Sequence, residues 1–304
     1  MIAKVFKSTG SWYKVLLENG VMTDVRLRGK FKLTDRKITN PIAVGDEVGV
    51  FFEASGEGVI EDILPRKNYV IRASPKKKGH HHIIASNVDQ AILISSLKFP
   101  KTSVGFIDRF FVTLEAFRIT GKIIFNKSDL LDDVEIKQAY QLVDIYQKLG
   151  YQAIVTSFEK KGIADISTWF EGKTTLLSGH SGTGKSTLIN LLCPEVIQQV
   201  STVSQYSDKG THTTTFAEMF KLNNGSFVID TPGIKELGLS EIESEELSHY
   251  FPEMRTLLGN CKYHNCMHLN EPGCQVTAAV KSGEIAESRY HSYQSMLLKE
   301  DNRK

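Results

Sequence analysis

The sequence predicts a multidomain protein in three parts: a small closed β-barrel, an α/β unit on a mainly parallel sheet, and a mainly helical metal-binding segment. Three observations predict it. Residues 1–72 hold short apolar stretches separated by turn residues, and from about residue 87 strand and helix patterns alternate. Three cysteines and a histidine then crowd into fourteen residues near the C-terminus. Boundaries are expected at 1–72, 73–238 and 239–304, and 304 residues suffice for separate cores. The chain has no run of about 18 apolar residues and no secretory pattern in its first residues, so a cytoplasmic, membrane-free protein is expected.

In the first part, Val15-Leu16-Leu17 precedes the turn pair Asn19-Gly20, and Val48 to Phe52 follows Val44-Gly45-Asp46. Between them, Val25, Leu27, Phe31 and Leu33 alternate with Arg26, Arg28, Lys30 and Lys32. A strand places the first set on one face and the four cations on the other, a face suited to phosphate backbones. Charge is unevenly spread: residues 1–78 carry fifteen Lys/Arg against nine Asp/Glu, and residues 238–304 seven against ten. A basic front end fits contact with a polyanion. Residues 73–86, with Lys76 to Lys78 and His80 to His82, read as a solvated polar connector.

The second part opens with the apolar strand Ala91–Ile94, a helix over Ile107–Phe117 and the strand Ile123–Phe125. A helix around Ile136–Leu149, the strand Ala153–Val155, a helix near Ile163–Phe170 and the strands Thr175–Leu177 and Phe227–Ile229 follow. Such alternation implies parallel strands with helices on both faces.

Within it, Gly179-His180-Ser181-Gly182-Thr183-Gly184-Lys185-Ser186 fits G-x-x-x-x-G-K-[ST], after a strand and before the helical run from Thr187. Its glycines let backbone N–H groups surround a phosphate, aided by the helix N-terminus. Lys185 is the candidate catalytic contact to the β- and γ-phosphates, and the Ser186 hydroxyl a Mg²⁺ ligand. Asp230-Thr231-Pro232-Gly233, 44 residues after Ser186, supplies a carboxylate for Mg²⁺ and, at Gly233, an N–H for the γ-phosphate. The loop Gly210-Thr211-His212-Thr213-Thr214-Thr215 offers a second hydroxyl; Thr214 is favoured, with Thr213 and Thr215 open. Where many GTPases have a water-orienting Gln, Ile234 stands, and His212 is the candidate replacement.

Asn126-Lys127-Ser128-Asp129 follows a buried strand. Its Asp can accept two hydrogen bonds from the guanine N1–H and N2–H₂ edge, a donor pair that adenine lacks. Asn126 supports that loop, the Lys127 stem packs over the ring, and Thr156-Ser157 fits the loop facing guanine O6. The guanine motifs precede the phosphate loop, so the domain is circularly permuted (order G4-G5-G1-G2-G3). All five loops sit at strand C-terminal ends, so rejoining the chain elsewhere leaves the site intact.

In the third part, Cys261-x₄-Cys266-x-His268-x₅-Cys274 supplies four S/N ligands, the set of a structural Zn²⁺ site, with His264 a competitor. Cys193 reads as core, and Tyr290, Tyr293 and Leu297 as one packing stripe of a helix.

In this order the motifs resemble the RsgA/YjeQ family of circularly permuted GTPases that assist small-subunit maturation, over nearly the whole chain. Leu27-Arg28-Gly29-Lys30, Val44-Gly45-Asp46 and Asn87-Val88-Asp89 join the resemblance. It implies an OB-type barrel and a GTP phosphohydrolase that binds the small (30S) ribosomal subunit and its rRNA. It further implies hydrolysis to GDP and phosphate stimulated by that subunit, in late assembly. One Zn²⁺ per chain and a monomer are expected. A GTPase serving another RNA–protein assembly, such as the large subunit, is the alternative. A non-enzymatic zinc and RNA-binding protein is opposed by intact Lys185, Ser186 and Asp230.

Overall fold

The computed structural model describes residues 1–28, 40–73, 81–195, 217–231 and 242–300. Five strands form the first unit: β1 (Ile2–Ser8), β2 (Trp12–Leu17), β3 (Met22–Leu27), β4 (Glu47–Phe52) and β5 (Gly58–Ile63). They pair in the order β1-β2-β3-β5-β4, and β4 returns to β1, closing the barrel. The β3–β5 contact is parallel and the others are antiparallel. Closure follows from alternation. Tyr13, Val15 and Leu17 of β2 point inward with Val5, Val25, Val48, Val50 and Ile60, while Trp12 and Lys14 face out. The turn after β2 is set by Asn19, whose Oδ1 accepts from Val21 N at 3.0 Å.

The expected connector over 73–86 is corrected in part. Strands β6 (Tyr69–Ala73) and β7 (His81–Ser86) form an antiparallel hairpin, with His81 buried and Val70, Ile71, Ile83 and Ala85 in the core. The polar Lys/His run disguises two apolar strand segments that flank it. Asp46 anchors this hairpin to the barrel. Fully buried, it accepts from Arg66 Nε and Nη2 at 2.7 Å each, from Ser86 Oγ at 2.6 Å and from Ala43 N at 2.8 Å.

The α/β unit adds β8 (Gln90–Ser95), β9 (Thr120–Phe125), β10 (Gln152–Val155), β11 (Thr174–Ser178), β12 (Glu218–Lys221) and β13 (Phe227–Asp230). Their order is β10-β9-β8-β11-β13-β12; the first five are parallel, and β12 runs antiparallel to β13. Strand β12, last of the α/β unit, continues into barrel strand β1 at Lys7↔Glu218, where the two side chains form a 2.9 Å ion pair. Barrel and α/β sheet are thus one hydrogen-bonded surface.

Helices α1 (Val104–Ala116) and α2 (Asp133–Lys148) cover one face through Phe106, Phe110, Phe111 and Tyr146. Each starts at a side-chain cap: Ser103 Oγ accepts from Phe106 N, and Asp132 with Glu135 forms a capping box. Helix α3 (Lys185–Leu192) covers the other face with Phe158, Ile166, Phe170 and Cys193. The helix expected near Ile163–Phe170 is instead a short helix, Phe158–Lys161, and a 3₁₀ turn, Ser167–Phe170. Gly162 at φ +63° ends the first, leaving too few residues for a second regular helix.

The C-terminal segment packs Leu247, Phe251, Met254, Val276, Tyr293 and Met296 around α4 (Gln275–Ser282) and α5 (Glu287–Leu297), with Val112 of α1 in the same cluster. A buried ionic network fixes it to the α/β unit. Arg289 on α5, 1% exposed, meets Asp108 of α1 at 2.7 Å and Glu253 at 2.7 Å. Asp108 also accepts from Tyr146 Oη at 2.8 Å, and the guanidinium lies 4.7 Å from the Phe251 ring centre. Burial opposes charge on Arg289, but Asp108 and Glu253 override it and hold the group well above the usual arginine range.

Candidate functional site

Parallel pairing aligns the strand ends. Ser95 registers with Phe125, Phe125 with Val155, Ser178 with Leu93, and Leu177 with Asp230. The loops after β8, β9, β10, β11 and β13 therefore open on one edge, where ligands bind in open α/β sheets.

Asn126 is the joint of this edge. Its Nδ2 donates to Thr183 O of the phosphate loop at 2.9 Å, and its Oδ1 accepts from Phe158 N at 3.0 Å. The guanine loop, the Thr156-Ser157 loop and the phosphate loop are thus held by one buried side chain. Lys127 is left-handed at φ +66°, which turns the chain so that Ser128 N reaches Thr156 O at 3.1 Å. Asp129 is exposed, and its Oδ1 accepts from Ser157 Oγ at 2.5 Å. That bond aims a carboxylate whose remaining lone pairs face solvent, as a base-recognising group requires.

Two glycines of the phosphate loop are sterically demanded. A Cβ on Gly179 would lie 2.2 Å from Ile94 O, and one on Gly184 2.3 Å from Asn126 Nδ2, with φ at +143° and +109°. Thr183 is buried and its Oγ1 donates to His180 O at 3.0 Å, while His180 packs at a tilt against Phe106 with ring centres 4.2 Å apart. Ser181, Gly182 and Ser186 are exposed, and Thr187 is half-buried. Lys185 Nζ donates to Gly179 O at 2.7 Å and to His180 O at 2.9 Å. Burial lowers its pKa and Asp230 counters the shift.

Asp230 ends β13. Burial raises its carboxyl to about 6, Lys185 pulling down and Glu218 pushing up. Its Oδ1 is buried and has no hydrogen-bond partner among the described residues. An orphaned buried carboxylate oxygen beside a phosphate loop fits a Mg²⁺-bearing site. Gly210–Thr215, with His212 and Thr214, and Gly233 and Ile234 lie outside the described residues.

The second centre gathers Cys261, Cys266, His268 and Cys274, with ligand atoms all within 4.8 Å of one another. His268 Nδ1 lies 3.6 Å from Cys261 Sγ and 3.5 Å from Cys274 Sγ. Tetrahedral Zn²⁺ with bonds of about 2.3 Å to sulfur and 2.0 Å to nitrogen demands an S···N span of roughly 3.5 Å. The residues fit that ion. His264, the competitor, is exposed and stands apart from the cluster. Burial first, then the neighbouring thiols, push Cys266 up to about 12, a barrier that a bound dication removes. The stripe on α5 packs as expected and does more. Tyr290 Oη donates to His268 O at 2.7 Å and Tyr293 Oη to Met267 O at 2.8 Å, while Glu271 accepts from Met267 N and Leu269 N at 2.7 and 2.8 Å.

On the barrel, Arg26 and Arg28 face out but are paired. Arg26 meets Glu57 at 2.7 Å and Glu53 at 3.3 Å, and Arg28 meets Glu61 at 2.7 Å. Lys30 and Lys32 lie outside the described residues. The β3–β5 pairing that sets these carboxylates beside the arginines is long-range, so strand alternation alone did not disclose it.

Family models of the RsgA N-terminal domain and of RsgA GTPase match residues 3–60 and 63–240. The chain is 52% identical over 300 residues to a Cytophaga hutchinsonii protein named small ribosomal subunit biogenesis GTPase RsgA, covering 98% of each. A protein of the same name from Bacteroides fragilis is 45% identical over 294 residues, 96% of this chain and 95% of that one. Among solved structures, YjeQ from Thermotoga maritima aligns with TM-score 0.76 and 35% identity, covering 98% of this chain and 97% of that one. YloQ, a circularly permuted GTPase, aligns with TM-score 0.73 and 33% identity, covering 100% and 96%. The closed barrel, the permuted loop order at one sheet edge and this full-length similarity place the chain in the RsgA GTPase family, as a GTP hydrolase.

Proposed function

We propose that this GTP hydrolase serves late maturation of the small (30S) ribosomal subunit, bound to its rRNA and stimulated by it. The observation that carries this reading is the end-to-end similarity to proteins named for small-subunit biogenesis, at 52% identity and 98% coverage of both chains. In the site we assign guanine recognition to Asp129, with Asn126, Lys127, Ser128, Thr156 and Ser157 shaping its loop. Phosphate binding falls to the backbone from Gly179 to Thr187, to Lys185 and to Gly233. Asn126 supports this division, since it bonds the base-side and phosphate-side loops at 3.0 and 2.9 Å.

Ser186, Thr214 and Asp230 are the residues assigned to Mg²⁺, which when bound neutralises charge on the β- and γ-phosphates. Lys185 adds a fixed positive charge to the transferring phosphoryl group, and His212 is assigned to orient water once a partner orders its loop. Cys261, Cys266, His268 and Cys274 are assigned one structural Zn²⁺. Arg26, Arg28, Lys30 and Lys32 are assigned to rRNA; for Arg26 and Arg28 phosphate must displace glutamate partners, which lowers their share of the affinity. A cytoplasmic monomer divided at 1–72, 73–238 and 239–304 completes the reading, and no helix among the described residues is long and apolar enough to cross a membrane.

The test is GTP turnover with purified small and large subunits in separate reactions. Stimulation by the small subunit is expected, and stimulation by the large subunit alone would reassign the partner. Loss of stimulation in His212→Ala, with nucleotide affinity retained, is expected of the water-orienting role.

A further inference from the structure

The loop after β8, residues 96–103, belongs to none of the nucleotide motifs, yet it lies between them. At one end, Lys127 Nζ donates to Phe99 O, so the loop touches the base-recognising segment. At the other, Pro100 Cδ is 3.6 Å from the position of a Cβ on Gly182, in the phosphate loop. Phe106, at the start of the helix that follows, packs at a tilt against His180. The crest Phe99-Pro100 thus spans the gap between the two ends of the nucleotide site.

The loop is built to hold its shape. Thr102 N donates to Ser96 O at 2.7 Å and Ser96 N to Thr102 Oγ1 at 3.2 Å, closing the base. Ser96 Oγ donates to Lys98 O at 2.6 Å, and Lys98 Nζ pairs with Glu135 at 2.9 Å. On this frame Phe99 sits at φ +50°, a left-handed backbone that bulky side chains adopt rarely and keep only where the surroundings impose it. The residue is 70% exposed, more than any other large apolar residue among those described. An aromatic side chain presented to solvent by a hydrogen-bonded loop backbone, beside a purine-binding loop, offers a stacking surface.

We propose that Phe99 is a nucleotide-contacting residue. Its ring packs on the base–ribose portion of the bound guanine nucleotide, extending the apolar shelf of the Lys127 stem, and loop 96–103 forms a third wall of the site. This rests on the assignment of the nucleotide to the span between Asp129 and Lys185. Because every purine offers the same π-face, the contact supplies affinity and not base choice, which stays with Asp129.

The experiment is equilibrium binding of GDP and GTP to the full chain carrying Phe99→Ala or Phe99→Trp, with Asp129→Ala and Lys185→Ala in parallel. Phe99→Ala is expected to weaken GDP and GTP about fivefold or more. The ratio of guanine to adenine nucleotide affinity should not change. Phe99→Trp is expected to restore affinity, and its added indole emission should shift when GDP binds. Unchanged affinity in Phe99→Ala, with Asp129→Ala and Lys185→Ala both weakened, would overturn the role of Phe99 and leave the site intact. If none of the three variants weakens binding, the site assignment itself fails. Unchanged affinity with reduced subunit-stimulated turnover would make the ring a docking contact and also overturn the proposal.

Discussion

Replacing Arg289 by Met tests how the C-terminal segment is held. The guanidinium is 1% exposed and sits between Asp108, fully buried, and Glu253, 8% exposed. Met fills much of the volume but leaves two buried carboxylates without a cation. Removing one member of a buried ionic network costs about 3–5 kcal/mol, because the orphaned charge keeps its desolvation penalty. The loss of the Phe251 contact adds roughly 0.5–2 kcal/mol. Hydrogen exchange reads the effect locally, without a global unfolding curve for a multi-unit chain. Amides of α5 should exchange about two to three and a half powers of ten faster from the ionic loss alone. Amides of barrel strand β2 should not change. Adding Asp108→Asn and Glu253→Gln to Arg289→Met removes the stranded charges and should recover more than half of the protection. Acceleration below about tenfold, or penalties that simply add, would refute the ionic clamp.

Three further outcomes follow from particular contacts. Gly184→Ala places a Cβ 2.3 Å from Asn126 Nδ2, and should weaken GDP binding about fivefold or more by roughly the cost of one strained residue; isothermal titration checks it. Chelation, or Cys266→Ser, should lower bound zinc from one per chain to none and unprotect residues 261–274 in exchange, while GDP affinity in the α/β unit persists; zinc quantitation and exchange mass spectrometry read both. Lys122, buried over Trp169, has its pKa lowered to about 8 by burial first and the charge of Lys173 second. Between pH 8 and the unfolded value of 10.5 the unfolded chain binds the extra proton, so stability from this group rises with pH. Lys122→Met should remove that rise in denaturation midpoints, and an unchanged pH profile would contradict the assignment.

The features most legible in sequence are those whose chemistry is local. A phosphate loop needs glycines at fixed offsets, and the collisions at Gly179 and Gly184 show why no other residue would serve. Buried parallel strands such as Ala91–Ile94 announce themselves as unbroken apolar runs. The cluster of Cys261, Cys266, His268 and Cys274 was legible because three cysteines and a histidine rarely gather within fourteen residues by chance, though only the structure separated His268 from His264. What escaped notice depends on distant partners. Strand β12 is four residues long and finds its place only between β13 and β1. Arg289 looks like a surface residue within Glu-Ser-Arg-Tyr, and its burial is decided by Asp108, 181 positions away. Arg26 and Arg28 looked unopposed because Glu53 and Glu57, in the turn between β4 and β5, and Glu61 on β5 come from later in the chain. Phe99 carries no motif, and its meaning comes from the two loops that it spans.

That Asp129 and Lys185 hold opposite ends of one guanine nucleotide is tested most directly by a crystal structure with a non-hydrolysable GTP analogue. The expected map shows the base against Asp129, the phosphates within Gly179–Thr187 and the Lys185 ammonium turned from Gly179 O toward them. A nucleotide seated with its base away from Asp129, or phosphates outside that loop, would contradict the whole reading of the site.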